Sequence, residues 1–190
     1  AGLMAILNPG RDRLASLATE GFDLAIRRSA TAPDTHVAWT LCETQSVLVA
    51  TRAYLSRMGS PQQPQELLGH NCLHYPRSQD RPAWTLEKRD PAGQERVTVQ
   101  ISGSLAANNS EALRDAALAG LGIALLPDFS AQAGLQAGEL VRVLPDWTPV
   151  DSFAGQLYAI RPSSAHVPRA VSALVAFLRE RLAPGFGEAW

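Results

Sequence analysis

Short apolar runs alternate with stretches of helical spacing along most of this chain. Leu3 to Leu7 predicts a buried strand, and Asn8-Pro9-Gly10 is a strong turn signal that stops it. Within Arg11 to Thr19, Leu14, Leu17 and Ala18 fall on one helical face, and Gly21 ends the segment. Phe22 to Ile26 predicts the next strand, followed by Arg27-Arg28-Ser29. Strand, helix, strand with short connections is the signature of a parallel α/β layer.

The pattern continues in the same style. Val37 to Leu41 and Ser46 to Ala50 predict strands, and Pro64 to Leu68 a helical turn opened by proline. Trp84 to Leu86 and Val97 to Ile101 alternate, with Asp90-Pro91-Ala92-Gly93 between them, so they predict a hairpin. Asn108 to Gly120 predicts a helix: Asn108 as N-cap, Glu111 three residues on as a capping box, and Ala112, Leu113, Ala116 and Ala117 as the buried stripe. Gly120 and Gly122 end it, and the apolar run Ile123 to Leu126, closed by Pro127, reads as a strand covered on both faces. A second strand–helix–strand unit is therefore expected around 97–126. Leu140 to Leu144 and Leu157 to Ile160 predict strands, and Pro168 to Leu182 a helix resting on Val171, Leu174, Val175 and Leu178.

Composition narrows the function. The 190 residues are 46% hydrophobic and 18% charged, which suits a folded globular protein rather than a disordered one. Lys+Arg is 17 against Asp+Glu 18, so this segment has no basic excess with which to grip DNA by itself. Two cysteines are too few for a disulfide scaffold and fit a cytoplasmic protein. No apolar run approaches the roughly 18 residues of a membrane span. The chain opens on a strand-like run without a starting Met, which predicts a piece of a longer protein. There is no G-x-S-x-G elbow, no P-loop and no G-x-G-x-x-G, and the carboxylates suggest no dyad, so neither an enzyme nor a cofactor is expected. His70-Asn71-Cys72-Leu73-His74 offers zinc-type donors, but at tight spacing and with no second cluster nearby, so no metal is expected.

Several stretches, in order, resemble the effector-binding (regulatory) domain of LysR-type transcriptional regulators. They are Glu20 to Arg27, Val47 to Leu55, Asn109 to Pro127, and Leu140 to Trp147. No single stretch is decisive; their order and spacing cover nearly the whole chain. The resemblance implies an α/β, two-lobed, periplasmic-binding-protein-like fold with two crossing strands between the lobes. Lobe I would hold 1–45 and 156–190, and lobe II 46–155. It also implies one further strand and helix before Leu3 and an N-terminal helix-turn-helix, neither of which this sequence contains. The function implied is binding of a small metabolite, an organic acid, in the interlobe cleft. That binding would modulate transcription by the absent DNA-binding domain of a homodimer or higher homo-oligomer. A solute-binding protein of a transport system is the alternative with the same fold, and an enzyme such as a small-molecule lyase is a third reading.

Five residues are candidate effector ligands. Asn108, Asn109 and Ser110 open a helix, whose unpaired N–H groups attract carboxylates and phosphates; the plain alternative is that they only cap it. The resemblance places this loop in the effector cleft. Arg28 and Ser29, with Arg27 less favoured, follow a strand at the end where α/β sheets bind ligands, and a guanidinium pairs bidentately with a carboxylate. The alternative is a solvated pair or a salt bridge. Gln45 and Ser46 lie near the first crossing, where hinge packing is expected, and Phe129 is expected in the core.

Overall fold

The computed structural model describes residues 5–7, 22–29, 36–76, 81–88, 95–150, 155–162 and 167–186. The helix expected over Arg11 to Thr19 and the turn at Asp90 to Gly93 lie outside these residues. The chain divides into two compact units, Ala1–Thr44 with Gly155–Glu188, and Gln45–Ala154 with Ala189–Trp190.

In the first unit four strands form one sheet, in the order β1-β2-β11-β3. Strands β1 (Ala5–Leu7) and β2 (Leu24–Ser29) run parallel, with Leu7 opposite Ile26. Strand β11 (Gly155–Pro162) is antiparallel to both β2 and β3 (His36–Thr44). The last helix, α4 (Arg169–Leu182), repeats apolar residues at Val171, Leu174, Val175 and Leu178, as the spacing predicts. Val171 and Val175 are buried against Leu24, Leu41 and Ala159, while Ala25, Tyr158 and Ile160 form the cluster on the other face of the sheet.

Strand β2 differs from the expectation. It continues through Arg27, Arg28 and Ser29, because β11 pairs with all three after β1 has ended. The arginines are therefore strand residues, not a loop beyond the strand.

Among the described residues, the second unit holds two sheets and three α-helices. Strands β4 (Ser46–Ala50), β5 (Cys72–Leu73), β8 (Ile123–Pro127) and β9 (Val141–Arg142) form a sheet in the order β5-β8-β4-β9. Strands β6 (Ala83–Lys88), β7 (Arg96–Gln100) and β10 (Trp147–Val150) form the second, in the order β10-β6-β7. Strands β4 and β8 are buried at every residue, and alternation explains why. Leu48, Ala50, Ile123 and Leu125 face a core shared with Trp84, Leu86, Val99 and Trp147. Val47, Val49, Ala124 and Leu126 face a second core with Leu113, Ala117 and Ala131. The last three come from helices α2 (Ser110–Leu118) and α3 (Asp128–Gln136). Helix α1 (Arg52–Met58) is capped by the Thr51 hydroxyl, which accepts from the Tyr54 N–H at 3.2 Å. A 3-10 helix over Pro64–Gly69 follows it.

Three expectations are corrected here. The expected 97–126 unit does not form, because β7 and β8 belong to different sheets; the parallel partner of β8 is the two-residue β5. The strand expected over Leu140 to Leu144 is reduced to Val141–Arg142, since Leu144 turns to a φ of 53°. Helix α3 was not expected, because its apolar residues make no clear stripe and Gly134 sits inside it. A Cβ at Gly134 would stand 2.8 Å from the end of the Leu140 side chain, so glycine leaves room for that side chain.

Candidate functional site

The candidate site in the second unit begins at β5. The segment after β7 runs alongside the segment around β5 in a parallel ladder. The N–H of Cys72 donates to Ser102 O at 2.9 Å, that of His74 to Leu105 O at 3.2 Å, and that of Ala107 to His74 O at 3.1 Å. Two side chains lock the ends of this ladder. Asn71 Oδ1 accepts from the Ser104 N–H at 2.7 Å, and its Nδ2 donates to Ser104 Oγ at 2.9 Å and Leu121 O at 2.7 Å. One amide thus holds the chain both before and after α2. At the other end the Tyr75 hydroxyl donates to Asn108 O. The approach is close enough to exclude any side chain at two glycines. A Cβ on Gly103 would lie 1.9 Å from Cys72 O, and one on Gly122 2.1 Å from Asn71 O.

This frame delivers Asn109 to the start of α2. Asn109 is the N-cap, with extended backbone (φ −128°, ψ 119°), and its side-chain oxygen accepts from the Glu111 N–H at 2.8 Å. The expected cap at Asn108 is corrected by one residue: Asn108 is exposed, and its carbonyl is held by Tyr75. Glu111 then sits two residues after the cap rather than three, so the capping-box spacing is lost.

Ser110, half-buried, meets Ser130 on α3. Ser130 is 5% exposed, and its hydroxyl donates to Ser110 Oγ at 2.9 Å. The direction follows from burial. If Ser110 were the donor, the Ser130 proton would be left buried without a partner, which costs about 1–3 kcal/mol. With Ser130 donating, the Ser110 proton remains available on the open side, beside the outward N–H groups of the helix's first turn. Asn109, through its Nδ2, and Ser110, whose oxygen is occupied by Ser130, therefore present donors at the positive end of a helix. Glu111 adds a carboxylate in the same turn and opposes an added anion there.

In the first unit, Arg27 is 8% exposed, Arg28 is exposed and Ser29 is half-buried. Arg27 stands opposite Tyr158, Arg28 opposite Leu157 and Ser29 opposite Gln156. Arg28 thus shares the sheet face of Leu157, the face that α4 covers, while Arg27 lies on the other.

Around the first crossing, Gln45 is exposed and Ser46 is buried at 2% exposure. Asp128, also 2% exposed, accepts from the Gln45 N–H through Oδ2 at 2.9 Å and from its neighbour Phe129 through Oδ1 at 2.9 Å. Burial raises its carboxyl pKa, and these N–H groups oppose the shift. Phe129 is 39% exposed, so its expected place in the core is corrected: it is on the outer side of α3, whose inner side carries Ala131.

The His70–His74 stretch is structural. Tyr54 is buried, and its hydroxyl accepts from the Asn71 N–H at 3.0 Å and lies 3.2 Å from His70 Nδ1. A neutral imidazole with Nδ1 unprotonated accepts the hydroxyl's own proton, whereas the other tautomer donates to the hydroxyl oxygen. Burial lowers the His70 pKa accordingly. Cys72 is wholly buried and its thiol is pushed up to about 12, away from thiolate chemistry. Among the described residues no group of three His, Cys, Asp or Glu could hold a metal ion. Among them, too, no helix is long and apolar enough to cross a membrane.

Comparison with known proteins gives these features a family. The model of the LysR substrate binding domain matches residues 6–183, and the chain belongs to that family. It is 33% identical over 170 residues to the probable HTH-type transcriptional regulator LtrA of Klebsiella pneumoniae, covering 89% of this chain and 53% of that protein. It is 35% identical over 176 residues to the HTH-type transcriptional regulator PtxR of Pseudomonas aeruginosa, covering 90% and 53%. The chain thus spans about half the length of the curated relatives it matches. Among solved structures it is similar to the regulatory domain of CrgA, a LysR-type transcriptional regulator from Neisseria meningitidis. The TM-score is 0.71 and the identity 28%, covering 90% of this chain and 81% of that one. Full-length AphB of Vibrio cholerae matches with a TM-score of 0.71 and 27% identity, covering 90% and 55%. The fold is the mixed α/β, two-lobed, periplasmic-binding-protein-like fold of these regulatory domains, as the sequence implied. The homologues are transcriptional regulators, not enzymes.

Among the residues around α2, Asn71, Tyr75 and Ser130 were not nominated from sequence. Their roles come from a ladder and a helix pair that bring together residues far apart in the chain, and no local motif marks them.

Proposed function

We propose that this chain is the ligand-sensing domain of a LysR-type transcriptional regulator, taking a small organic acid in the cleft between its lobes. The family match over residues 6–183 carries the reading. In it, lobe I is 1–45 with 156–190 and lobe II is 46–155, and the compact units support that division. Asn108, Asn109 and Ser110 receive a carboxylate at the start of α2, where the Ser110 hydroxyl and first-turn N–H groups are donors. Arg28 and Ser29 supply the second set of groups. The ligand shifts transcription by binding one arrangement of lobes or subunits better than another. The whole protein acts in the cytoplasm as a homodimer or higher homo-oligomer and meets DNA through an N-terminal helix-turn-helix.

Calorimetric titration with succinate, benzoate and related mono- and dicarboxylates tests this. Saturable binding of at least one acid is expected, weakened about tenfold or more by Ser110→Ala and by Arg28→Ala, in line with the loss of a charge-assisted hydrogen bond. Binding unchanged in both variants would exclude these groups, and no binding across the panel would exclude the organic-acid reading.

A further inference from the structure

The chain passes from the first unit to the second between Thr44 and Gln45. Each side of that passage is held by its own unit. Thr44, 2% exposed, lies opposite Gly155 in the β3–β11 ladder, and its hydroxyl donates to Gly155 O at 3.2 Å. Gln45 is held by Asp128 twice: its N–H donates to Asp128 Oδ2 at 2.9 Å, and its carbonyl accepts from the Asp128 N–H at 2.9 Å.

Asp128 is unusual for what it does not do. It is almost fully buried, yet the partners of its carboxylate are backbone N–H groups, those of Gln45 and Phe129. Nor is it the N-cap of α3, a position that Pro127 occupies. A buried carboxylate is costly unless its oxygens are satisfied, and here one oxygen is spent on the single residue where the chain enters the unit. Its place in the first turn of α3 gives it the helix's positive end for support.

We infer that Asp128 is a positioning residue that fixes the Thr44–Gln45 peptide to the second unit, so that this passage bends at the torsions of Thr44 rather than along Gln45 and Ser46. The peptide plane is tied through its N–H and the next carbonyl through its oxygen, so neither can swing without breaking a hydrogen bond. Thr44 keeps its side chain on β11, so the bond between its Cα and carbonyl carbon is the one that joins the two clasps. The inference stands whatever ligand the domain takes.

Two measurements test it on the full 190-residue chain. In the unaltered protein, the Gln45 amide is expected to exchange as slowly as the amides of β4 and to show the order parameter of rigid backbone, about 0.85. Fast exchange or a loop-like value at Gln45 would overturn the inference. The second uses spin labels at Glu180→Cys on α4 and Ser56→Cys on α1, both exposed, with the native Cys42 and Cys72 buried. Asp128→Ala is expected to widen the label–label distance distribution about twofold. Asp128→Asn, which keeps an acceptor oxygen, should widen it less. Leu113→Ala, which weakens the same unit without touching the passage, should leave the width unchanged. Equal widths in wild type and a folded Asp128 variant would overturn the inference, as would equal widening by Leu113→Ala. If neither Asp128 variant folds, the amide measurement alone decides.

Discussion

At the scale of single residues, the start of α2 sets donors and a carboxylate against each other. Glu111, exposed in the first turn, already offers the helix dipole a negative charge. An incoming acid must share that end with it. Glu111→Gln is therefore expected to strengthen binding of a monocarboxylate roughly two- to fivefold, the range set by a charge–dipole effect of about 0.3–1 kcal/mol. Titration in low salt is the check, and weaker binding would place the acid elsewhere. His70 makes a second prediction. Its pKa is lowered by burial, so the folded state resists its protonation. The stability this represents is complete above the imidazole's ordinary value near 6.5 and is lost as pH falls from there towards the lower folded value. Denaturant midpoints should drop between pH 8 and pH 5, and the drop attributable to this group should vanish in His70→Asn. Asp128, raised from its ordinary 3.8, acts with the opposite sign and nearer the acid end, so the difference between variant and wild type isolates the histidine. Sequence places Asn109 and Ser110 at a helix start, yet it puts the cap on Asn108, one residue too early. In the structure the carbonyl of Asn108 is held by the Tyr75 hydroxyl and Asn109 is the cap.

At the scale of elements, the legible parts were those with strong local signals. Strand β4 covers Ser46 to Ala50 as its apolar run required, and α4 follows its stripe. The pairing of strands was less legible, because a two-residue strand such as β5 carries no periodicity of its own. What makes β5 a strand is the close approach at Gly103 and Gly122. Gly122→Ala puts a methyl group 2.1 Å from the Asn71 carbonyl, where only backbone can yield. Its cost should lie at or above the upper end of the roughly 1–3 kcal/mol of overpacked sites. Gly69→Ala is the matched control, with nothing within 4 Å of the new methyl, and should be nearly neutral. Equal stability of the two variants by chemical denaturation would mean that β5 is not held where the ladder places it.

At the scale of the whole molecule, the two units differ in how the chain builds them. The second is essentially one continuous stretch, Gln45–Ala154, with two cores separated by the sheet that holds β4 and β8. The first is assembled from two segments that the second unit interrupts, and its sheet depends on β11 returning to sit between β2 and β3. Closing a flexible loop of about 110 residues costs on the order of 4 kcal/mol beyond a constant. A folded insert with fixed ends removes much of that cost. The first unit should therefore depend on the second, and not the reverse. A fragment of residues 45–154 is expected to fold alone, with β4 and β8 amides protected from exchange. In the intact chain, Leu113→Ala should cost about 2–5 kcal/mol and raise exchange in both units. Val171→Ala, in the core of the first unit, should raise exchange in β2, β3 and β11 while sparing β4 and β8. The opposite pattern, with β4 and β8 melting when Val171 is cut back, would mean that the two units fold as a single cooperative body.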